Sequence, residues 1–181
     1  MKGIKFEKVS FGTFLKDALS CSIDNIIEWD NGDTDYTSFS EYLKDIYDSI
    51  ELPIRKTKGS AGYDFNCPFE ISINSGKKVK FPTGIKAKMP EGVVLEVHIR
   101  SSLGVKHDLR ISNTTGIIDS DYYNNTNNEG DIIISLTNNG VNRYVTESHK
   151  AVAQGIFMKY ETTEDDKADG ERVGGFGSTS K

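Results

Sequence analysis

The sequence is poor in the residues that build zinc sites and disulfide scaffolds. Its 181 residues include two cysteines and three histidines, and no Cys-X-X-Cys pair occurs. Cys21 and Cys67 are far apart in the chain, which predicts no zinc site and indicates a reducing compartment. His98, His107 and His149 are equally scattered. The pattern predicts no metal centre built from these residues.

Long apolar runs and an excess of positive charge are missing as well. No run approaches the ~20 apolar residues of a membrane helix, and the charged N-terminus predicts no signal peptide. The net charge of −5 argues against broad nucleic-acid binding, because neutralising phosphates needs a basic surface. A local basic site for a small phosphate compound remains open. We therefore expect a cytosolic, single-domain protein over 1–181 that binds neither membranes nor nucleic acids.

The first third of the chain mixes one short strand with helical spacing. A half-buried strand is predicted at 4–9, a short helix at 14–19, and a second one after a cap at Ser22. The clearest helix has capping-box spacing at Ser38 and Glu41. Its apolar residues follow an i, i+3, i+4, i+7 stripe: Phe39, Tyr42, Leu43, Ile46, Tyr47 and Ile50.

From Pro53 onward the pattern is that of a β protein. Short apolar runs alternate with Gly, Pro and Asn turns, which indicates a sandwich or barrel. The Asn-rich segment 124–130 is predicted to form a hairpin tip. The segment 161–181 is charged, then glycine-rich, and is expected to be a flexible lid. The predicted strands include the runs Ile71–Ile73, Val79–Phe81, Val93–Ile99, Ile132–Leu136 and Ala151–Phe157.

Two segments rich in small residues are candidates for binding phosphate. In Gly59–Asp64, small residues precede Asp64, which either supports a site or satisfies backbone donors in a tight turn. In Arg100–Gly104, a guanidinium is followed by two hydroxyls and a glycine, an arrangement suited to holding oxyanions. An ordinary solvated strand end is the alternative for this second segment.

A third segment, Asn113–Tyr122, contains two acids on either side of Ser120. In an extended strand both carboxylates would project from the same face, so spacing alone does not say which is catalytic. Asp119 has the better claim because it directly follows the apolar Gly-Ile-Ile run, where a carboxylate can activate a water as general base. Surface acids in a polar hairpin are the alternative.

The glycine-rich end of the chain is a fourth candidate. It lacks the lysine spacing of a Walker loop and a following helix. One Phe among glycines suits a flexible lid in which Phe176 covers an aromatic base while Arg172, Ser178 and Thr179 bind phosphates. By composition alone, a disordered terminus is the alternative.

Taken in this order, the segments resemble the five motifs of the trimeric dUTPase family. AGYDF and RSSLG look like the first and second motifs, and NTTGIIDSDYY looks like the third. AVAQGIF and RVGGFGSTS are similar to the fourth and fifth. The resemblance implies a mainly β, jelly-roll-like barrel with a helical insertion over 11–51. It also implies a homotrimer with shared active sites that hydrolyses dUTP to dUMP and pyrophosphate, which limits uracil incorporation into DNA.

The same resemblance implies a role for each site residue. Asp119 is the general base for a water that attacks the α-phosphorus in line, and Tyr122 lies against the deoxyribose. Asp64 supports Mg²⁺, which the triphosphate and waters hold without direct protein ligands. The other implied substrate-binding residues are Arg100, Ser101, Ser102, Gly104, Asn113, Gly116, Ile118, Gln154, Arg172, Phe176, Gly177, Ser178 and Thr179.

Three departures from the family pattern are visible. The segment after Tyr122 is lengthened, Arg172 lies one residue closer to Phe176 than usual, and the 11–51 insertion has no counterpart. The insertion is expected to be a packing decoration, with a partner-binding surface as the alternative. A dCTP deaminase of the same fold is the competing enzyme, and the GIIDSDY segment favours the diphosphatase. The resemblance fits a cytoplasmic enzyme, bacterial or phage-encoded.

Overall fold

The computed structural model describes residues 3–21, 36–170 and 172, with backbone alone over 36–38. Most of the regular structure is β, as predicted, and the two expected helical segments of the insertion that fall within this range are present. Their bounds, and those of all other elements, are as follows: β1 Lys5–Lys8, α1 Phe11–Ser20, α2 Tyr36–Ser49, β2 Tyr63–Asn66, β3 Ile71–Ile73, β4 Lys78–Pro82, β5 Ile85–Lys88, β6 Val93–Ile99, α3 Ser101–His107, β7 Leu109–Ile111, β8 Gly116–Ile118, β9 Ile133–Asn138, β10 Tyr144–Thr146 and β11 Ala151–Lys159.

The strands form antiparallel sheets in the jelly-roll-like arrangement that the sequence predicted. A four-stranded sheet has the order β2-β11-β6-β8, and a three-stranded sheet has the order β4-β9-β7. Two further pairs join β1 to β5 and β10 to β3. Over the described residues the strands are divided among these sheets and do not close into one continuous barrel.

The core lies between the sheets, where alternate strand residues point inward. In β6, Val93, Leu95 and Val97 are buried while the residues between them are half-buried, the period-two pattern of a strand with one covered face. Phe65 and Phe81 from neighbouring sheets are fully buried in the same cluster. Each such side chain contributes about 1.5–3 kcal/mol by leaving water.

The described helices of the insertion are part of this core. Ser10 caps α1 by accepting a hydrogen bond from the Thr13 N–H at 3.3 Å, which satisfies one of the free donors at the helix start. Phe14 of α1 is fully buried and stacks on Phe69 with ring centroids 5.9 Å apart. Leu43 of α2 is fully buried as well.

Two details of the predicted helices are different in the structure. The helix α2 begins at Tyr36, so Ser38 lies inside its first turn and the predicted capping box at Ser38 is wrong. Tyr42 is exposed although it belongs to the predicted apolar stripe. The helix predicted after Ser22 lies outside the described residues. No helix in the described ranges is long and apolar enough to cross a membrane.

Candidate active site

A cavity of about 340 Å³ opens where β2, β11 and the end of β6 meet. Gln154 of β11 is the register partner of Asp64 in β2 and of His98 in β6, so the sheet itself sets these side chains in a row. Arg100 and Ser101 follow directly after β6, at the start of α3. The lining consists of Lys56, Ser60, Ala61, Gly62, Asp64, Arg100, Ser101, Gln154 and Ile156.

An arginine–carboxylate pair defines the charge of this cavity. Arg100 Nε lies 3.5 Å from Asp64 Oδ1, and Arg100 Nη1 donates to the Ala151 carbonyl at 3.4 Å. The Arg100 side chain is 40% exposed, so part of its guanidinium still faces the cavity. A guanidinium held this way can bind an oxyanion with its remaining N–H groups. One chain therefore brings together Asp64, Arg100 and Gln154, which belong to the first, second and fourth motif segments.

Gly62 is required here because the Gln154 side chain lies on its backbone. A Cβ added at Gly62 would be 2.7 Å from Gln154 Oε1 and 3.3 Å from Gln154 Cβ. Distances under 3 Å are not found between real atoms of this kind, so any larger residue would push the amide away. The glycine of the AGYD segment thus determines where the Gln154 amide can lie.

Two predicted binding residues are not on the wall of this cavity. Ser102 is exposed on α3, and Gly104 lies two residues further along the same helix. A Cβ at Gly104 would lie 3.4 Å from Ile99 Cγ2 and 3.7 Å from the Leu109 carbonyl, which are ordinary van der Waals distances. The substrate contact of both residues stays a prediction.

A second cavity, of about 310 Å³, lies at β8 and β9. Asn113, Gly116 and Ile118, all predicted to bind substrate, line it. Its walls are mainly apolar, with isoleucines from β8 and β9, and a few polar groups stand at its rim. An apolar pocket with few polar groups suits a base and a sugar.

Tyr122 is held in place by the segment that follows it. Its hydroxyl donates to the Asp131 carbonyl at 2.9 Å and accepts from Asn128 Nδ2 at 3.0 Å. The side chain is buried, and burial raises the pKa of its hydroxyl. Gly130 lets the chain pass close to the Tyr122 backbone. It has a φ of +88°, and a Cβ at this position would lie 2.7 Å from the Tyr122 carbonyl oxygen.

The Asn-rich segment is a packed loop and not the predicted hairpin tip, because β8 before it pairs with β6 while β9 after it pairs with β4 and β7. Asn125 and Asn128 are buried, and Asn125 Nδ2 donates to Asn128 Oδ1 at 2.9 Å. The same Asn125 side chain accepts from the Asn127 and Asn128 N–H groups. Asparagine is used here because its amide can satisfy backbone donors and acceptors inside a tight loop.

The two candidate acids, Asp119 and Asp121, hold the same guanidinium. The chain does not continue as a strand after β8, because Ser120–Tyr122 form a short 3₁₀ helix, so the extended-strand assumption is wrong. Nevertheless, Arg172 pairs with Asp119 through Nη2, and its Nε donates to Asp121 at 2.7 Å. Arg172 also lies over the Tyr122 ring, 5.7 Å from the ring centroid.

The two cavities meet β6 at different positions along the strand. Arg100 and Ser101, which line the first cavity, follow the end of β6. In the antiparallel register of β6 and β8, Leu95 pairs with Ile118, so the chain reaches Asp119 near the start of β6. At about 3.3 Å per residue, the five steps from Leu95 to Arg100 correspond to roughly 17 Å. Arg100 and Asp119 of one chain are therefore far apart along the strand.

Cysteine and histidine chemistry contributes nothing to these cavities. Cys21 and Cys67 are free and buried, and burial raises the pKa of their thiols to about 11 and about 12. Within the described ranges, no group of three His, Cys, Asp or Glu side chains could hold a metal ion.

Sequence reasoning missed some of the residues that line the two cavities. Lys56 and Ser60 line the first cavity, and Lys80 lines the second, although none was predicted. The basic run before the first motif, RKTK, was the available signal for Lys56. The predicted lid residues Phe176, Gly177, Ser178 and Thr179 lie outside the described residues.

The mainly β scaffold carries an arginine–amide cradle and an apolar pocket, and two carboxylates follow the strand that lines this pocket. Together these features define an enzyme that acts on a nucleoside phosphate. The sequence profile of the dUTPase family matches residues 48–180. The deoxyuridine 5'-triphosphate nucleotidohydrolase of Lactococcus lactis is 41% identical over 132 residues, which is 72% of this chain and 88% of that protein.

Solved structures agree with the sequence comparison. The crystal structure of the dUTPase from Streptococcus mutans has a TM-score of 0.58 and 42% identity, covering 62% of this chain and 88% of that chain. A mutant dUTPase of S. aureus phage phi11, solved to show the coordination of a structural Mg(II) ion, shares the fold. Its TM-score is 0.56 at 22% identity, over 66% of this chain and 90% of that one. The chain belongs to the dUTPase family, and it hydrolyses dUTP to dUMP and pyrophosphate.

Proposed function

We propose that Asp119 activates a water molecule, which attacks the α-phosphorus of dUTP in line. The observation that carries this proposal is the place of Asp119, directly after β8 and beside the nucleoside-sized cavity. Its side chain is 48% exposed and caps no backbone N–H, so the carboxylate is accessible to water. A carboxylate in reach of a bound water can remove its proton as the bond to phosphorus forms.

The two cavities divide the remaining roles. Asn113 and the backbone near Gly116 and Ile118 bind the uracil edge, and Tyr122 packs against the deoxyribose. A site that donates a hydrogen bond to the uracil carbonyl rejects cytosine, because the cytosine amine presents a donor at the position where uracil presents an acceptor. Ser101 and Gln154 join Arg100 in binding the triphosphate, which aligns the phosphorus and neutralises its charge.

The separation of Arg100 from Asp119 supports a homotrimer with shared sites. A dUTP molecule must contact both the cradle and Asp119, and in one chain the register of β6 and β8 sets Arg100 and Asp119 roughly 17 Å apart along the strand. The cradle of one subunit therefore serves the nucleoside cavity of its neighbour. The segment 161–181 closes over the substrate, with Phe176 on the base and Arg172, Ser178 and Thr179 on the phosphates, and Gly177 also belongs to the proposed substrate-binding residues.

The residues of the cradle fit a Mg²⁺ ion that is held chiefly by the triphosphate. The described residues include no three-ligand cluster, and Asp64 is the carboxylate on the cavity wall that would face the water shell of the ion. When bound, Mg²⁺ supplies neutralisation of phosphate charge. The structural Mg(II) of the phage phi11 enzyme supports an affinity of the fold for this ion.

The insertion over 11–51 is proposed to be a packing element of a single domain. The stripe of α2 that would have to dock on a partner already contributes buried Leu43 and Ile50 to the core. A partner surface on the insertion stays the alternative prediction. Free, buried cysteines fit the reducing conditions of the cytoplasm.

The proposal is tested by pyrophosphate release from dUTP, dTTP, dCTP and UTP with magnesium, for the wild type and Asp119→Asn. We expect rapid turnover of dUTP alone and a loss of about 10²–10⁴-fold in kcat for the variant. Asp119→Asn activity within a few-fold of wild type would remove Asp119 as the base. Ammonia release from dCTP would revive the deaminase alternative, and a monomer with full activity would contradict the shared sites.

A further inference from the structure

Lys56 lies on the wall of the phosphate cavity, outside the segments that carry the family resemblance. It lines this cavity together with Asp64, Arg100, Ser101 and Gln154. Over the residues that the structure describes, the Lys56 ammonium has no hydrogen-bond or ion-pair partner, and the side chain is exposed. A lysine at the wall of an anion-binding cavity is thus uncommitted in the substrate-free chain.

The loop that carries Lys56 is closed by hydrogen bonds on both sides. Arg55 Nη1 donates to the Ser60 carbonyl at 2.9 Å and to the Lys58 carbonyl at 3.2 Å. The Ser60 N–H donates to the Thr57 carbonyl at 3.2 Å. Lys56 is therefore presented from an ordered loop, which lowers the entropic cost of using it to bind a ligand.

The base of this loop is tied to the sheet beside the cavity. The Asp64 N–H donates to the Ile54 carbonyl at 2.9 Å, across an isolated bridge between the two residues. The backbone leading to Lys56 is thus held next to the strand that carries Asp64. This link sets the distance of the lysine stem from the cavity.

The contribution of Lys56 to the cavity follows from the charges of the other lining residues. Arg100 lies 3.5 Å from the Asp64 carboxylate, so these two lining charges offset each other. Lys56 is the remaining charged residue of the lining and gives the cavity a net positive charge. A triphosphate carries several negative charges, and its attraction to the cavity depends on this surplus.

We propose that Lys56 is a further substrate-binding residue, which binds the triphosphate of dUTP and supplies the net positive charge of the cradle. The inference rests on the proposed assignment of this cavity to the triphosphate. Because Lys56 attracts charge and does not take part in bond breaking, it acts on KM and not on kcat. Its contribution is greater for a triphosphate than for a monophosphate.

The test compares Lys56→Gln, Lys56→Arg and the matched control Lys58→Gln in the full-length protein. Lys58 is exposed in the same loop and does not line the cavity. The values of kcat and KM for dUTP are measured at about 0.05 M and about 0.5 M salt, since screening weakens exposed charge interactions. Calorimetric binding of inorganic tripolyphosphate provides a readout that does not depend on dUTP turnover.

We expect Lys56→Gln to raise KM for dUTP roughly 3- to 10-fold at low salt, with kcat unchanged and a smaller effect at high salt. Tripolyphosphate binding should weaken in parallel, Lys56→Arg should restore both, and Lys58→Gln should match the wild type. Unchanged KM and tripolyphosphate affinity in Lys56→Gln would overturn the inference while leaving the proposed function intact. If tripolyphosphate binding depends on Lys56 but the wild type does not attack dUTP at the α-phosphorus, the inference about Lys56 stands and the proposed function is overturned.

Discussion

The Arg172 guanidinium lies on the Asp119 carboxylate, the group proposed to activate the attacking water. Nη2 of Arg172 pairs with Oδ2 of Asp119, while Nε donates to Asp121 Oδ1 at 2.7 Å. The Arg172 side chain is 16% exposed, so the contact covers the guanidinium more than it covers either acid. Asp119 and Arg172, a residue proposed to bind phosphate, thus contact each other.

The first prediction separates the two acids that share Arg172. Asp121→Asn should lower kcat less than about 3-fold, because Asp121 is 54% exposed and an exposed ion pair contributes ~0–1 kcal/mol. Asp119→Asn provides the contrast, since loss of a general base costs far more. Pyrophosphate release at saturating dUTP measures both. A larger loss in Asp121→Asn than in Asp119→Asn would exchange their roles.

The second prediction concerns the contact between Gly62 and Gln154. Gly62→Ala places a methyl group 2.7 Å from Gln154 Oε1, so the amide must leave its position in the cradle. We expect a roughly 10-fold increase in KM for dUTP from the lost hydrogen bond to a charged phosphate. Gly59→Ala is the control, because a Cβ there meets nothing within 4 Å. Equal KM values for the two variants would show that Gln154 does not bind substrate.

The third prediction concerns a buried acid beneath the packed loop. Asp131 is completely buried, and its Oδ2 has no hydrogen-bond partner among the described residues. Burial, followed by the nearby charge of Asp17, raises the pKa of Asp131 well above its usual value. The folded protein therefore keeps a proton on Asp131 at a pH where the unfolded chain has released it. In the wild type the Gly84 N–H donates to Asp131 Oδ1 at 2.9 Å. Asp131→Asn mimics the protonated carboxyl and can keep this hydrogen bond through its amide oxygen.

The sign of the pH dependence follows from this raised pKa. Stability from the protonated form is complete below the unfolded pKa of about 3.9 and is lost as pH rises toward the folded pKa. Asp131→Asn should therefore raise the melting temperature at pH 8, with a gain that shrinks toward pH 4. Asp45→Asn, at an exposed position of α2, is the control. A gain that is the same at both pH values would contradict a buried, protonated Asp131.

The fourth prediction concerns the attachment of the insertion to the packed loop. Glu129 accepts hydrogen bonds from the Ser10 N–H at 3.0 Å, from the Ser10 hydroxyl and from the Thr13 hydroxyl at 2.7 Å. The bonds from Ser10 hold the pKa of Glu129 at about 2, so its carboxylate contributes stability above the unfolded pKa that is lost as pH falls toward 2.

Glu129→Gln should lower the free energy of unfolding at pH 7 by about 1 kcal/mol, the low end for charge-assisted bonds, because the side chain is 35% exposed. Glutamate and glutamine at position 129 would have the same positive φ of 55°, so backbone strain is equal in the wild type and the variant. Glu91→Gln, in an exposed turn, serves as the control in urea unfolding. A variant as stable as wild type would mean that α1 does not depend on this attachment.

Much of the fold could be read from local patterns. The strands Ile71–Ile73 and Val93–Ile99 were predicted at their observed bounds, because alternating apolar residues between turns specify a half-buried strand. The start of α2 was placed three residues late, at Phe39 after the predicted cap Ser38, since a capping-box spacing competes with other possible helix starts. The 3₁₀ helix after β8 was missed because three residues carry no periodic signal.

The sequence by itself determined the family and the reaction, because these depend on which side chains stand at which spacing in a motif. Tertiary structure alone decided which of them meet. Asp64 and Gln154 are 90 positions apart, yet the register of β2 and β11 makes them neighbours. The antiparallel register of β6 and β8 keeps Asp119 near the start of β6, away from Arg100 at its end. Contacts of this kind arise from strand pairing over long sequence separations, which no local pattern encodes.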